Sequence, residues 1–326
     1  MKTLILDINK DSLALAAKLI KDGEIVAFPT ETVYGLGANV FDENAVKKIY
    51  EAKGRPGDNP LIAHVADADG VYSVAAEVTE DAIKIMRGLM PGPVTMVLKK
   101  KPSVPDTVTA GLDTVAIRMP LSEEARAFIS AAGVPICAPS ANTSSRPSPT
   151  TWRHVAEDMD GRIPLILKGK NCDVGIESTV LDLTRKVPLI LRPGMVTKSK
   201  IESVLGKEVF FPDAVDKSMN SPGIRYKHYA PKCDTYLNVD GDREKIRAFL
   251  DADAGAGLVA SEKYRGMTDK FFTLGDGAAG GAHEIFAALR DAEKSCGKIL
   301  IVWDEKGEEA DSVYNRVIKS CGGKVI

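Results

Sequence analysis

Residues 53–64 have the sequence Lys-Gly-Arg-Pro-Gly-Asp-Asn-Pro-Leu-Ile-Ala-His, and the chain is organised around this segment. Pro56 and Pro60 each bias the preceding residue away from helical backbone angles, so the segment is predicted to run extended. In an extended chain, residues two apart point to the same side, which directs Lys53 and Arg55 towards one spot. Two aligned cations suit a polyanion such as a triphosphate.

A simpler interpretation of the same residues is the end of a helix. Lys53 would then stabilise the C-terminus of the preceding helix, Gly54 would be its left-handed C′ residue, and Arg55 would lie in solvent. This segment alone leaves both interpretations open.

Composition places the chain among globular proteins and limits its functions. The 326 residues suggest two domains, with 44% hydrophobic and 27% charged residues. A net charge of −2 argues against a stand-alone nucleic-acid binder. The five cysteines form no C-x-x-C pair, which excludes zinc ribbons and thioredoxin motifs and fits reduced cysteines. Without a signal peptide or a membrane-length apolar run, we expect a cytoplasmic protein with no membrane partner.

Helices and short strands alternate through the first 206 residues, but several strands follow one another without a helix between them. This order predicts an α/β domain with a twisted mixed sheet flanked by helices. Residues 30–37 (TETVYGLG) are predicted as a polar turn. The predicted strands are 24–30, 61–65, 94–98, 115–119, 134–138, 179–183 and 187–191, and the predicted helices are 11–22, 43–53, one after Thr79, 122–132, 152–158 and 197–205.

Arg118 is unusual because it falls inside an apolar strand. Alternation places Val115 and Ile117 on one face, and Thr114 with Arg118 on the other. An arginine in such a strand is expected to face a site or a partner charge, because burying it unpaired is costly. The alternative is an edge strand with Arg118 in water.

The loop of residues 139–151 is rich in hydroxyl groups and proline, and it precedes a predicted helix. Ser140 and Asn142 again lie two apart on one side. Such a loop can bind phosphate through hydroxyl and backbone N–H groups. The alternative is a surface loop in which Thr150 or Thr151 only caps the helix.

The chain after the linker predicts a second, smaller α/β domain. Periodicity fades over residues 207–231, and a strand–helix pattern with βαβ character follows over 232–326. Gly275-Asp-Gly-Ala-Ala-Gly280 matches a dinucleotide-binding pattern, with Asp304 at the end of the next strand. We interpret the match as a Gly/Ala-rich loop before a helix from His283, because the domain has too few βαβ units for a full dinucleotide site.

Six motifs stand out: PTETVYGLG (29–37), KGRP with NPLIAH (53–64), RMP (118–120), PSAN with SSRPSPT (139–150), ESTV (177–180) and LRPG (191–194). Together with the linker SPGIRYKHYAP (221–231) and the small second domain, they resemble the YrdC/Sua5 family of threonylcarbamoyl-AMP synthases, in its two-domain Sua5 branch. The resemblance implies a YrdC-like domain over 1–206 and a Rossmann-like domain over 232–326. The basic and aromatic residues at 225–229 predict that the linker, 207–231, forms a lid over the active site. The alternative is a spacer whose aromatic residues pack on one domain.

The activity that this resemblance implies is synthesis of threonylcarbamoyl-AMP and pyrophosphate from ATP, L-threonine and bicarbonate. A partner transferase would then modify adenosine 37 of tRNAs that read codons beginning with A. Mg²⁺ is expected with ATP, with no protein metal ligand assigned, and contact with tRNA is expected to be weak or indirect. The alternatives are an RNA-binding module and a carbamoyl-AMP-forming carbamoyltransferase.

The resemblance also implies which residues form the site. Lys53 and Arg55 are expected to be catalytic, by neutralising the phosphates. The expected ATP-binding residues are Arg55, Asn59, Thr114, Ser140, Asn142, Ser148, Arg192, Tyr226 and Tyr229. The expected L-threonine-binding residues are Thr32, His64, Arg118, Ala138 and Ser178.

Overall fold

A computed structural model describes residues 2–212 and 229–326, and these form two compact units. The N-terminal unit comprises residues 2–143, 149–172 and 177–212. The C-terminal unit comprises residues 229–326 together with two short segments, 144–148 and 173–176. Most of the predicted lid, including Tyr226, lies outside the described residues, and the domain boundaries at 206 and 232 stay predictions.

A mixed sheet forms the centre of the N-terminal unit and confirms the predicted fold class. Its strand order is β1-β8-β2-β3-β7-β4-β6-β5-β9-β10. Its strands are β1 (Leu4–Asp7), β2 (Val26–Phe28), β3 (Gly35–Asn39), β4 (Ile62–His64), β5 (Val94–Lys99), β6 (Thr114–Arg118), β7 (Ile136–Ala138), β8 (Leu165–Lys168), β9 (Thr179–Asp182) and β10 (Leu189–Arg192).

Side-chain caps mark the start of most helices of this unit, whereas α3 and α5 are absent from the sequence prediction. Ser122 caps α6 by accepting from the Ala125 N–H, and Gly133 ends it at a φ of 71°. Thr151 caps α7. The helices are α1 (Lys10–Lys21), α2 (Glu43–Lys53), α3 (Ala68–Val74), α4 (Glu80–Leu89), α5 (Asp106–Thr109), α6 (Glu123–Ala132), α7 (Trp152–Met159) and α8 (Lys198–Leu205).

The two faces of the sheet are covered differently. One face packs on a core to which α2, α3, α4, α5, α7 and α8 all contribute buried side chains. On the other face, α1 and α6 pack over β2, β7 and β8 through residues such as Ile20, Phe28 and Phe128. That cluster does not extend to β6, where Thr114 and Ala116 stay partly exposed. This part of the second face is therefore accessible to a ligand.

The predicted polar turn at residues 30–37 is wrong in its second half, because Gly35 begins strand β3. This strand is antiparallel to β2 and β7. A Cβ atom on Gly35 would lie 3.0 Å from the Phe28 ring, and one on Gly37 would lie 2.5 Å from Ile136. The glycines are thus present because neighbouring side chains leave no room, which is a tertiary reason that turn chemistry does not reveal.

The C-terminal unit contains a four-stranded parallel sheet, as its Rossmann-like prediction requires. The strand order is β11-β14-β12-β13, with all pairs parallel. Its strands are β11 (Asp234–Asn238), β12 (Ala256–Ala260), β13 (Phe271–Thr273) and β14 (Lys298–Val302). Its helices are α9 (Arg243–Asp251), α10 (Gly277–Ser295) and α11 (Glu308–Ser320).

The helix predicted from His283 begins six residues earlier, at Gly277, so the predicted loop is partly helical. Glycine disfavours a helix, but packing outweighs that cost here. A Cβ atom on Gly281 would lie 2.2 Å from the Trp303 ring, and one on Gly280 would lie 3.1 Å from the Gly275 backbone.

Candidate active site

A buried cluster forms around Arg118 at the end of β6. Its guanidinium is 2.7 Å from a carboxylate oxygen of Glu31, and its Nη1 donates to Thr32 Oγ1 at 2.7 Å. Arg118 is 3% exposed and Glu31 is 4% exposed. Strand β6 lies between β4 and β5, so the edge-strand alternative for Arg118 is wrong. The expectation that this arginine meets a partner charge is confirmed.

The ion pair keeps Glu31 charged although the carboxylate is buried. Burial raises the pKa of Glu31, but the charge of Arg118 and hydrogen bonds outweigh it, so the net shift of this pKa is downward. Arg118 Nε is buried with no hydrogen-bond partner among the described residues. A buried donor of this kind is costly unless it meets a partner, which here a ligand can supply.

His64 lies beside Arg118, because β4 and β6 pair these two residues in register. Its Nδ1 is 3.0 Å from the carbonyl oxygen of Ile62, and its ring packs edge-on against Phe28. Burial, followed by the charge of Arg118, lowers the pKa of His64 to about 3. His64 is therefore a neutral contact residue near pH 7.

The buried His64 predicts a loss of stability in acid. The unfolded chain takes up a proton below pH 6.5, whereas the native imidazole resists protonation down to about pH 3. Stability is thus complete above pH 6.5 and falls by up to about 1.4 kcal/mol per pH unit as the pH drops through this window. Urea titrations at several pH values should show a shallower fall for His64→Gln. An equal slope in His64→Gln and the wild-type protein would contradict this assignment.

A second polar group lies further along the same sheet. Thr95 Oγ1 and Ser178 Oγ are 2.8 Å apart, and both residues are buried. Arg192 donates from Nη2 to Ser178 Oγ at 3.2 Å and from Nε to the Ser178 carbonyl oxygen at 3.0 Å. The antiparallel register that pairs Met96 with Ile117 brings Thr95 next to Arg118.

These contacts define a polar row that crosses the sheet from Glu31 to Arg192. Its members are Glu31, Thr32, Arg118, Thr95, Ser178 and Arg192. We had not predicted Glu31 or Thr95. Glu31 stands between two threonines of a quoted motif, and Thr95 is the polar residue of strand VTMVLK, so the sequence held a weak signal for each.

Lys53 holds the start of the 139–151 loop. It is 2% exposed, and its Nζ donates to the carbonyl oxygens of Ser140 and Asn142, at 2.6 Å for the latter. Ser140 Oγ donates to Asn142 Oδ1, and Asn142 Nδ2 donates to the Thr143 carbonyl at 2.8 Å. Lys53 is therefore a structural support of this loop, whatever else it binds.

The prediction that residues 53–64 run extended is wrong at the start of the segment. Lys53 is the last residue of α2, and Gly54 follows in the left-handed region at a φ of 60°. The helix-end interpretation is thus correct for the backbone. Lys53 and Arg55 do not alternate on an extended chain, because the left-handed residue between them turns the chain.

Arg55 contacts the loop that follows it. Its Nη2 donates to the Asn59 carbonyl oxygen at 3.2 Å, and the Tyr50 hydroxyl donates to the same oxygen at 3.3 Å. Burial raises the pKa of Tyr50 to about 12, so this phenol stays a donor. The Asn59 backbone is thereby held by two side chains, although its own side chain was the predicted ligand.

The remaining predicted residues divide between the two units. Ala138 ends β7 opposite Ile62, and Thr114 begins β6 with its side chain partly exposed. Ser148 and Tyr229 belong to the C-terminal unit, where Tyr229 packs on the Phe286 ring at a centroid distance of 5.1 Å. The ligand contacts expected of these four residues stay predictions.

The cations and donors of the N-terminal unit suit a site that binds anions. Within residues 2–212 and 229–326 there is no group of three or more His, Cys, Asp or Glu side chains that could hold a metal ion. Over the same described part of the chain, none of the helices has the length and apolar character needed to cross a membrane.

Comparison with known proteins covers nearly the whole chain. Residues 18–194 match the Sua5/YciO/YrdC family model, described as "Telomere recombination", and residues 196–322 match "Threonylcarbamoyl-AMP synthase, C-terminal domain". Threonylcarbamoyl-AMP synthase of Pyrococcus abyssi is 42% identical, over 98% of this chain and 96% of that protein. The Bacillus subtilis enzyme of the same name is 41% identical over the same shares.

The structure gives the same result. A crystal structure of P. abyssi Sua5 complexed with L-threonine superposes with a TM-score of 0.93 at 41% identity, covering 99% of each chain. The chain belongs to the Sua5/YciO/YrdC family, in its two-domain Sua5 form.

Proposed function

We propose that this chain is a threonylcarbamoyl-AMP synthase that uses ATP, L-threonine and bicarbonate. The observation that carries the proposal is the polar row, in which buried Arg118 and the Ser178–Arg192 pair share one sheet face. Two anions must be joined in this reaction, and a site rich in cations and N–H donors lowers their mutual repulsion. The threonine-bound Sua5 relative supports the same assignment.

The reaction proceeds through a carbamate. The threonine amine and bicarbonate give N-carboxythreonine with loss of water. A carbamate oxygen then attacks the α-phosphorus of ATP, the bond from that phosphorus to the bridging oxygen breaks, and pyrophosphate leaves. Positioning of the two anions supplies most of the rate, because no side chain needs to form a covalent intermediate.

Threonine binds at the Arg118 end of the row. A guanidinium has more N–H groups than the contacts to Glu31 and Thr32 use, so Arg118 keeps donors for the threonine carboxylate. Neutral His64 and Ser178 surround the other polar groups of the amino acid, with Thr32 and the backbone of Ala138.

ATP binds along the remaining cations and the 139–151 loop. Arg55 and Arg192 neutralise phosphate charge, and Lys53 does so from its position beneath Ser140 and Asn142. Mg²⁺ would accompany ATP and offset part of its phosphate charge, with no protein ligand assigned. The other ATP contacts of this proposal are Asn59, Thr114, Ser140, Asn142, Ser148, Tyr226 and Tyr229.

The product is an adenylate that water would destroy, so it must be protected and passed on. Residues 207–231 act as the lid that excludes water. A transferase of the cytoplasm takes the threonylcarbamoyl group to adenosine 37 of tRNAs that read codons beginning with A. The net charge of −2 supports weak or indirect contact with the tRNA itself.

Pyrophosphate release tests this proposal. The purified chain should release pyrophosphate only when ATP, L-threonine and bicarbonate are all present, and mass spectrometry should detect threonylcarbamoyl-AMP. Turnover with carbamoyl phosphate in place of threonine and bicarbonate would support a carbamoyltransferase instead. Tight RNA binding with no pyrophosphate release would support an RNA-binding module.

A further inference from the structure

Two short segments that precede residue 207 in the sequence belong to the C-terminal unit. The chain contributes residues 144–148 and 173–176 to that unit and continues in the N-terminal unit on either side of each segment. Both segments contact helix α10. The contacting residues Ala282, Arg290 and Glu293 are eight and three residues apart along α10, so they lie on one side of the helix.

The first contact is a two-pronged ion pair between Arg146 and Glu293. Arg146 donates from Nη1 at 2.5 Å and from Nη2 to the two carboxylate oxygens. The Arg146 side chain is 15% exposed and the Glu293 side chain is 6% exposed. The Lys232 N–H also donates to Glu293 at 2.8 Å. An ion pair of this geometry away from solvent is sensitive to loss of either partner.

The second contact comes from the fully buried Arg290. Its Nε and Nη2 donate to the carbonyl oxygen of Pro147 at 3.2 Å and 2.7 Å. Pro147 directly precedes Ser148, so this bond fixes the backbone on which Ser148 stands. The Ala230 N–H donates to the Ser145 carbonyl at 2.8 Å and holds the same segment from another side.

The third contact is steric. Gly175 lies at a φ of +82°, and a Cβ atom there would lie 2.3 Å from the Ala282 carbonyl oxygen. The 173–176 segment therefore approaches the start of α10 as closely as only glycine permits. Helix α10 thus contacts the first segment through Arg146 and Pro147 and the second through Gly175.

We propose that α10 supports residues 144–148 of the 139–151 loop. Arg290 and Glu293 are positioning residues that hold this segment in the conformation that binds ATP. This inference rests on the proposed function, because Ser148 is a proposed ATP contact. Burial raises the pKa of Glu293, but Arg146 and the Lys232 N–H outweigh it and the net shift is downward, so the pair stays ionised at neutral pH.

The expected change in the Kd for ATP follows from the fraction of time that the loop spends in the binding conformation. If a loosened loop occupies the binding pose for only about a tenth of the time, the apparent Kd for ATP rises about tenfold. Threonine contacts Arg118 and Thr32 on the sheet, so its Kd should not depend on this loop. If these contacts only stabilised the fold, their loss would lower the melting temperature but would not raise the Kd for ATP more than the Kd for threonine.

The test compares matched variants of the full chain. Glu293→Gln and Arg146→Gln each remove one partner of the buried pair. Asp291→Asn is the control, because it makes the same carboxylate-to-amide change on α10 at an exposed pair with Lys294. Calorimetry would measure the Kd of α,β-methylene-ATP and, separately, of L-threonine.

We expect a rise of about tenfold in the Kd of the ATP analogue for both buried-pair variants, with the threonine Kd unchanged within about twofold. The double variant should add little to either single change, because one interaction is lost in each. If Glu293→Gln does not fold, Arg146→Lys takes its place, since it keeps the charge and loses one prong of the fork.

An unchanged affinity for the ATP analogue in the folded variants would overturn the inference, as would an equal rise for both ligands or for Asp291→Asn. The wild-type chain separates this failure from that of the proposed function. If the wild-type chain releases pyrophosphate without threonine or bicarbonate, the proposed function is wrong. If Glu293→Gln and Asp291→Asn have the same Kd for the ATP analogue, only the proposed role of α10 is wrong.

Discussion

Replacing Arg118 by lysine is expected to raise the KM for L-threonine by about 100-fold, while ATP affinity changes by less than about threefold. Lysine keeps the positive charge but cannot offer the planar fork that a carboxylate accepts. Each lost charge-assisted hydrogen bond is worth about 1.5–3 kcal/mol, and about 1.4 kcal/mol corresponds to a factor of ten. Steady-state kinetics with each substrate varied in turn would measure the effects on L-threonine and on ATP separately.

Lysine is preferred to alanine at this position because of Glu31. An alanine would leave that buried carboxylate without its ion-pair partner, and breaking a buried pair costs about 3–5 kcal/mol of stability. Arg185→Lys is a suitable control, because Arg185 is half-exposed and pairs with Asp182. Equal losses for threonine and ATP would show that Arg118 supports the fold rather than the amino acid.

Replacing Lys53 by methionine is expected to lower both stability and ATP use. Methionine fills a similar volume but cannot donate to the carbonyl oxygens of Ser140 and Asn142. Each buried carbonyl left unsatisfied costs about 1–3 kcal/mol, so the free energy of unfolding should fall by about 2–5 kcal/mol. Urea denaturation and pyrophosphate release together would measure the two effects.

Two matched variants separate the roles of Lys53. Lys47→Met makes the same change on α2, but Lys47 is 53% exposed and pairs with the exposed Glu43, so stability should change by less than about 0.5 kcal/mol. Arg55→Met removes a cation that stands outside the helix, so ATP use should fall more than stability. Unchanged stability in Lys53→Met would contradict the support role and leave only a contact with phosphate.

Local chemistry explains which elements could be predicted. Helix α6 is bounded by a serine that caps its first turn and a glycine that ends it, and both signals act within four residues. Helix α8 begins after Thr197 and ends before Gly206 for the same reason. The alternation that placed Arg118 opposite Ile117 is equally local, and the core packing confirms it.

Strands whose sequence reflects a distant neighbour could not be predicted in this way. Strand β3 contains glycines because Phe28 and Ile136 crowd it. Strand β8, missed in the sequence, pairs in parallel with both β1 and β2, which are separated from it by more than a hundred residues. Nothing within such a short segment distinguishes it from a buried turn of helix.

The sequence by itself determined the boundaries of capped helices such as α6 and α8, the α/β class, the family and the set of polar residues gathered in its motifs. Only the tertiary structure decided what those residues contact. Arg118 pairs with Glu31, and Lys53 donates to the carbonyl oxygens of Ser140 and Asn142. Residues 144–148 belong to the C-terminal unit, where Arg290 donates to the Pro147 carbonyl oxygen. The physical reason is that caps and periodicity act over a few residues. The partner of a buried charge is chosen instead by desolvation, which any chain segment brought near in the fold can offset.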